Sequence, residues 1–540
     1  MNFLLKYYQH ITDGLLIGIL VIFSLIFLPP FSQLLINADS YAIMLTAEFL
    51  HQHGTFGAQL GEWGDIFSPI FYRGGFSLFI YLLSPLFHYN WLVTGQYIVQ
   101  ITYFLSIVLV FLVVKKIFSS RWAGFFASLL AIFCYIFTQW STILMSETPT
   151  IFLTLFSLFF LVYGQSRPYW LYLSAIVLGV AFMFRAEMII LLIPFSILIY
   201  IYYKNNLNIF FYIIFSFIIW FIYLFSLYIF NPDPAFWLSQ QINIFTFTLG
   251  THQLFIYTIL LLLLFLFLLI RWPLFAFIPA AIFVYLAINI SLDFTSVLSP
   301  FYSYLYHDLP IIITGLAGLI WLYRHSKAMF LFFTFYCFPL LLLYFSRGEY
   351  RYYVHTIMPL IMLGGYFIYQ IIGQLSASLT SHQNKLLFFT QKVFYFLILA
   401  LIIAGEIYHY TRPDFLPAES YEQVVIEATQ KVINSHYINQ NNIVICSVFS
   451  EAIYFSTHIS AQDCFNGRED IDRHPDQTKL IIVEEDISRH QPEFSQYLID
   501  NYSDQLIAEQ WLVTPYIEKN TTSLPKYPVR WYLILGNIKN

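Results

Sequence analysis

Acidic and basic side chains are scarce in this chain, and those able to do chemistry gather in a few segments. Asp39 stands in Asn37-Ala38-Asp39-Ser40-Tyr41, just beyond a long apolar run, and Glu48, His51, His53 and Gly54 follow it. Ser146-Glu147-Thr148-Pro149 opens a later run, Arg185 and Glu187 sit where two runs meet, and Arg73 lies in Tyr72-Arg73-Gly74-Gly75. Arg347-Gly348-Glu349-Tyr350-Arg351-Tyr352 precedes another run that holds His355 and Pro359. A carboxylate at the mouth of an apolar chain is costly to keep and is a functional candidate by default. Such an acid takes a proton from an incoming hydroxyl or amine. A guanidinium offers a phosphate two parallel hydrogen bonds and a fixed positive charge. The set suits an anionic lipid: sugar transfer from a polyprenyl phosphate, with an acid as base, arginine on the phosphate and the tail in a groove between spans.

Each residue also has a plain structural reading. Asp39 fits the N-cap of the helical-looking run Tyr41–His51, and Glu147 before Thr148-Pro149 fits a helix start. Arg347 and Arg351 suit anchors at head-group depth. His51 and His53 lack metal-ligand spacing to any partner. Asp39, Glu48 and Glu147 carry oxygens of the kind a divalent metal takes, yet nothing in their spacing requires one and no cofactor is called for. The shared side of the membrane, rather than any one residue, carries the joint case.

The elements that must position these groups are membrane spans. The 540 residues are 59% hydrophobic and 10% charged, whereas soluble domains carry about 25% charged residues. Aromatic content of 21% suits lipid-facing and interfacial rings, and a net charge of −5 without basic runs argues against nucleic acid. The first apolar run lacks a cleavage site and reads as a retained helix. Apolar runs predict about thirteen spans, at roughly 13–30, 91–114, 122–142, 147–164, 169–185, 187–203, 208–230, 254–270, 274–291, 310–323, 328–346, 355–373 and 387–408. The short segment 74–88 reads as a helix at the interface.

Alternate loops collect Lys6, Lys115, Lys116, Arg121, Arg167, Lys204, Arg271, Arg324, Lys327, Lys385 and Lys392. The opposite loops hold only Arg73, Arg185, Arg347 and Arg351. This bias predicts a multi-pass protein of the plasma (inner) membrane with a cytoplasmic N-terminus. It places Asp39, Glu147 and an outer loop holding Asp293, His307 and Asp308 on the extracytoplasmic face. Residues 1–408 then form the membrane domain. The polar remainder, 409–540, reads as a small extracytoplasmic α/β domain, with apolar runs at Ile443–Val448, Leu480–Val483 and Trp531–Leu535 alternating with helix-like Tyr421–Ser435 and Phe494–Asp500. Cys446 and Cys464 fall there, and whether they bond is left open by the sequence.

Several segments resemble the GT-C superfamily of membrane glycosyltransferases, in the bacterial branch related to protein O-mannosyltransferases and lipid A aminoarabinose transferases. Ala38-Asp39-Ser40-Tyr41 through Ala47-Glu48-Phe49-Leu50 and Gly54 is similar to its first-loop pattern. Tyr72-Arg73-Gly74-Gly75-Phe76-Ser77-Leu78-Phe79 resembles its Pro-Gly-Tyr-Pro-Leu segment, with Gly74 and Ser77 where prolines are usual. Met145-Ser146-Glu147-Thr148 resembles the opening of its fourth span, and Gly179 through Arg185, Glu187 and Pro194 its Gly-x-x-x-x-x-Arg-x-Glu segment. Glu349-Tyr350-Arg351-Tyr352 with Pro359 is similar to its late Arg-Tyr…Pro motif. The resemblance implies juxtamembrane helices at 41–53 and 74–88, Asp39 as catalytic base and Glu147 as second acid of the site. It also implies Arg351 on the donor phosphate with Arg185 and Arg73, supporting roles for Tyr41, Glu48, Glu349 and Tyr352, and inversion at the sugar carbon. The implied partners are a polyprenyl-phosphate-linked sugar donor, membrane lipid, and an extracytoplasmic glycan, lipid or protein acceptor. A transporter or lipid flippase and an O-antigen polymerase or ligase are the rival classes. The first predicts charges within spans, and the second predicts key Arg and His in a large late loop.

Overall fold

The computed structural model of the chain describes residues 2–27, 38–61, 67, 74–165, 167–204, 206–231, 234, 294–347, 353–380, 421–436, 438, 443–447, 450–462, 478–483, 492–513 and 526–534. Three helices come first: α1 (Asn2–Phe27), α2 (Ala38–His53) and α3 (Gly74–Leu83), the last prolonged by a 3-10 turn at Ser84–Phe87. Helix α4 (Trp91–Ile117) starts where the Asn90 side chain accepts the Val93 N–H at 3.0 Å and ends on Lys115 and Lys116, charges that suit the negative end of a helix. Helix α5 (Arg121–Phe133) is capped in the same way by Ser120. Then follow α6 (Tyr135–Trp140), α7 (Glu147–Tyr163), α8 (Pro168–Phe184), a 3-10 segment Ala186–Leu191, α9 (Leu192–Tyr203) and α10 (Asn206–Ile229). The later bundle helices are α11 (Phe294–His325), α12 (Lys327–Arg347) and α13 (Tyr353–Thr380).

Among the described residues, four helices are long and apolar enough to cross a membrane: Trp91–Ile117, Ala186–Tyr203, Leu207–Ile229 and Tyr353–Gly373. Shorter apolar helices include Ile11–Ile26, Gly74–Phe87, Arg121–Phe133, Glu147–Tyr163 and Tyr169–Phe184. They pack as a multi-pass bundle in which α4 meets α5 and α7, α8 meets α7 and α10, and α13 meets α5 and α11. Small residues permit the close approaches, as membrane helices require. A Cβ on Gly365 of α13 would lie 2.3 Å from the Ala127 nitrogen of α5. On the outer face of α10, Phe210, Phe221 and Phe225 stay exposed, as side chains that face lipid do.

Two expectations need correction. The run 122–142 is not one continuous helix: it breaks at Cys134, whose extended backbone (ψ 113°) separates α5 from α6. In an apolar bundle the freed N–H groups of the restarted helix need partners. Asp308 supplies them, its carboxylate accepting from the Tyr135 N–H at 2.9 Å and the Ile136 N–H at 3.4 Å. Asp308 is therefore no loop residue; it sits within α11 and is fully buried. The expected spans 254–270, 274–291 and 387–408, and Cys464, lie outside the described residues.

The later chain forms a five-stranded sheet of order β2-β1-β3-β5-β4. Its strands are β1 (Ile443–Cys446), β2 (Ala461–Gln462), β3 (Thr478–Val483), β4 (Leu506–Val513) and β5 (Lys526–Ile534). Strand β1 pairs parallel with β2 and β3, while β5 runs antiparallel to β3 and β4. Helices α14 (Tyr421–Ser435), α15 (Ser450–Thr457) and α16 (Pro492–Tyr502) accompany it, and buried Trp531 of β5 donates its indole N–H to Thr429 of α14 at 3.0 Å. Cys446 is disulfide-bonded, whereas Cys134 and Cys337 form no disulfide.

This sheet unit is clamped to α2. Phe455 of α15 meets Tyr41 edge-on with ring centroids 5.8 Å apart, and Tyr454 meets Phe49 at 6.2 Å. The Ala461 N–H of β2 donates to the Leu60 carbonyl at 3.0 Å. Gly61, at φ +87°, lies so close to Ser460 that any side chain would collide with it. Aromatic pairs contribute about 0.5–1.5 kcal/mol beyond buried area. Phe455→Ala is therefore expected to speed amide exchange within 41–53 by about fivefold while leaving 353–373 unchanged, as read by hydrogen-exchange mass spectrometry.

Candidate functional site

The segment between α6 and α7 is short, buried and heavily hydrogen-bonded. Ser141 Oγ donates to the Thr138 carbonyl at 2.6 Å, Thr142 Oγ1 to the Gln139 carbonyl at 2.7 Å, and the Met145 N–H to the Ile143 carbonyl at 2.8 Å. Helix α7 then opens on Glu147. Thr148 Oγ1 reaches back to the Trp140 carbonyl at 2.9 Å, fixing the start of α7 against the end of α6. Glu147 itself is fully buried, where an isolated carboxylate could not stay charged without a partner.

That partner is Arg185, 3% exposed, which forms an ion pair with Glu147. Arg185 has an extended backbone (φ −149°, ψ 107°) between α8 and the following 3-10 segment, which turns its side chain into the bundle. Glu187 flanks it, with Oε1 at 3.6 Å from Arg185 Nη2. His355 of α13, itself buried, lies near enough to feel the Arg185 charge. Helix α3 seats on the same corner. A Cβ at Gly75 would stand 2.2 Å from the Met183 carbonyl oxygen, so only glycine lets α3 begin there, and the Gly75 N–H donates to the Tyr223 hydroxyl of α10.

Asp39 lies half-buried in the first turn of α2, where the positive end of the helix favours a carboxylate. Beside it, Ser40 Oγ donates to the Leu144 carbonyl at 2.8 Å, a contact buried on both sides. This hydrogen bond brings the first turn of α2 onto the segment that runs directly into Glu147. Asp39, Glu147, Arg185, Glu187 and His355 are thus drawn from α2, α7, the α8–α9 junction and α13 to one part of the bundle. The arrangement sets a half-buried acid beside a segment that leads into a buried charge pair.

Other expected site residues fall elsewhere. Tyr41 is buried against Phe455. Glu48 is half-buried further along α2, where Gln52 Nε2 donates to it at 2.8 Å and His51, His53 and His458 stand nearby. Burial raises the Glu48 pKa, only partly offset by His458 and the Gln52 hydrogen bond. Among the described residues no group of three or more His, Cys, Asp or Glu is placed to hold a metal, and Glu147 pairs with Arg185. Arg73, Glu349, Arg351 and Tyr352 lie outside the described residues. Ser40 and His458 were not visible as site residues from sequence. Ser40 beside an acid is a weak signal, and nothing near His458 marks it.

Residues 75–232 match the family described as dolichyl-phosphate-mannose-protein mannosyltransferase. The match takes in Glu147 and Arg185 but begins after Asp39. No curated protein sequence matches the chain. Among solved structures, the archaeal oligosaccharyltransferase AglB from Archaeoglobus fulgidus, in complex with an inhibitory peptide and a dolichol-phosphate, is similar with TM-score 0.54 and 13% identity over 84% of this chain. This chain covers 64% of the length of that protein. The same oligosaccharyltransferase in its apo form gives TM-score 0.58 and 12% identity, covering 92% of this chain and 72% of that one. ArnT from Cupriavidus metallidurans, bound to undecaprenyl phosphate, gives TM-score 0.50 and 11% identity, with 96% and 97% covered. At these identities the likeness shows a shared fold.

Two outcomes follow from the buried charges. Removing one member of a buried pair costs about 3–5 kcal/mol, because the other charge is stranded. Arg185→Leu strands Glu147 and Glu187, whereas Glu147→Leu leaves Arg185 with Glu187. Thermal unfolding in detergent should show Arg185→Leu as the more damaging, and the double variant as less damaging than the sum. For Glu48, the folded state holds its proton to higher pH than the unfolded chain. Its contribution to stability is therefore full below the ordinary value of 4.5 and falls as pH rises above that. Glu48→Gln should remove this decline, so the difference in melting temperature between variant and wild type grows on going from acid to neutral pH.

Proposed function

We propose that the chain is a GT-C glycosyltransferase and that it moves a sugar from a polyprenyl-phosphate donor to an acceptor outside the cytoplasm. The observation that carries this reading is the Ser40–Leu144 hydrogen bond, which holds the Asp39 turn against the segment leading into Glu147 and its arginine. The lipid phosphates bound to AglB and ArnT support a donor of the same chemical class.

Asp39 is the general base in this reading. It takes the proton of an acceptor hydroxyl or amine as that atom attacks the anomeric carbon. The bond from anomeric carbon to phosphate oxygen breaks, and the polyprenyl phosphate leaves with the bonding pair toward guanidinium groups, Arg351 foremost, with Arg73. Fixed positive charge at the departing oxygen lowers the barrier because it is in place before the charge develops. Arg185 serves the same end from behind, since Glu147 and Glu187 hold its guanidinium in the wall. Displacement from the far side inverts the sugar carbon.

The chain is read as about thirteen spans in the plasma (inner) membrane, with the N-terminus cytoplasmic and residues 409–540 an extracytoplasmic α/β domain. The contacts of α15 with α2 support a reading in which that domain lies beside the base, on the side from which an envelope glycan, lipid or protein acceptor arrives. The test is turnover of an undecaprenyl-phosphate-linked sugar by membranes containing the chain, followed as release of undecaprenyl phosphate. Asp39→Asn should fold normally and lose about 10²–10⁴-fold in rate, the range for a positioned general base. Retention of wild-type turnover by Asp39→Asn would show that the base lies elsewhere.

A further inference from the structure

We propose that Asp308, outside the acid and arginine set above, is a positioning residue for both Asp39 and Glu147. The inference rests on the glycosyl-transfer reading for its kinetic part only.

A helix restarting inside an apolar bundle leaves its first N–H groups without intrahelical partners, and in such surroundings those groups must be satisfied locally. At the break after α5 this is done across more than 170 residues of sequence. Both carboxylate oxygens of Asp308 on α11 accept from the Tyr135 and Ile136 N–H groups at the start of α6. Asp308 is fully buried. Cys134, the residue at the break, also hydrogen-bonds it through its side chain. Thr138 Oγ1 then bonds the Cys134 carbonyl at 2.9 Å, which holds the break from the other side.

What α6 carries is the site. Its last residue, Trp140, gives the carbonyl that accepts Thr148 Oγ1, next to Glu147. Four residues further, Leu144 gives the carbonyl that accepts Ser40 Oγ, next to Asp39. One carboxylate therefore sets where α6 starts, α6 and the segment after it present two carbonyls, and each carbonyl holds the residue next to one acid. A side-chain cap elsewhere on this bundle, such as Asn90 on α4, holds a helix end without any such onward connection. Remote packing that shifts reacting groups by about 1 Å costs on the order of 100-fold in rate.

The experiment compares the full chain carrying Asp308→Ala or Asp308→Asn with wild type. Asp13→Asn is the control, since Asp13 is another largely buried acid, paired with Lys115 and remote from this chain of contacts. Hydrogen exchange is read for 38–50, 134–150 and 353–373, and kcat and KM are read with an undecaprenyl-phosphate-linked sugar. In Asp308→Ala, exchange should rise in 38–50 and 134–150 together and stay unchanged in 353–373. The kcat should fall by about 100-fold with donor KM within about twofold, the signature of misplaced reacting groups rather than lost binding. Asp308→Asn, which keeps one oxygen for the Tyr135 N–H, should recover part of both. Exchange that rises only in 134–137, rises everywhere alike, or rises equally in Asp13→Asn would overturn the proposal. So would an unchanged kcat. If wild type itself releases no undecaprenyl phosphate, the glycosyl-transfer reading fails, and the exchange pattern alone still decides whether Asp308 governs the two acid segments.

Discussion

A charge pair buried in an apolar bundle is the constraint around which the rest is arranged. Glu147 and Arg185 are both withdrawn from water, and neither tolerates the loss of the other. Keeping them together fixes the start of α7 against the end of α8. It also fixes the corner where α3 begins, because Gly75 rests on the Met183 carbonyl two residues before Arg185. Burial makes the pair costly to break, so the elements that carry it are held together. Asp39, by contrast, keeps partial contact with solvent.

Much of this was legible from residue types and their order. Glu147 before a Thr-Pro pair reads as a helix opening, and α7 begins on it. The Gly-flanked run after Arg73 is too short to span and forms the short helix α3. Apolar runs of a few residues between polar stretches correspond to β1, β3 and β5. Other features depend on contacts that sequence does not encode locally. The pairing of Glu147 with Arg185 joins residues 38 apart, and no periodicity reports it. The break at Cys134 has no Gly or Pro beside it and is stabilised by Asp308 from another helix. Asp308 itself reads as loop because polar residues and Pro300 and Pro310 surround it, although α11 continues through both prolines. Strand β4 hides because Glu509 and Gln510 interrupt its apolar pattern.

The sheet unit adds a second hold on α2. Its contacts run along the helix from Tyr41, two residues past the acid, to Phe49, and continue through the Leu60 carbonyl. Helix α2, which bears Asp39, is thus held at its first turn by Ser40 and along its flank by α15. Two unrelated parts of the chain share the work of orienting one short helix. This suits a reaction in which an acceptor from one phase must meet a donor head group from another.

The central claim is that donor phosphate and acid meet where α2 touches the opening of α7. An experimental density map of the protein bound to undecaprenyl phosphate tests this most directly. The account predicts the phosphate beside the Asp39 turn, on the side of the bundle that holds Glu147 and Arg185. A phosphate seated instead at the opposite end, against Lys115 and Lys116, would contradict it.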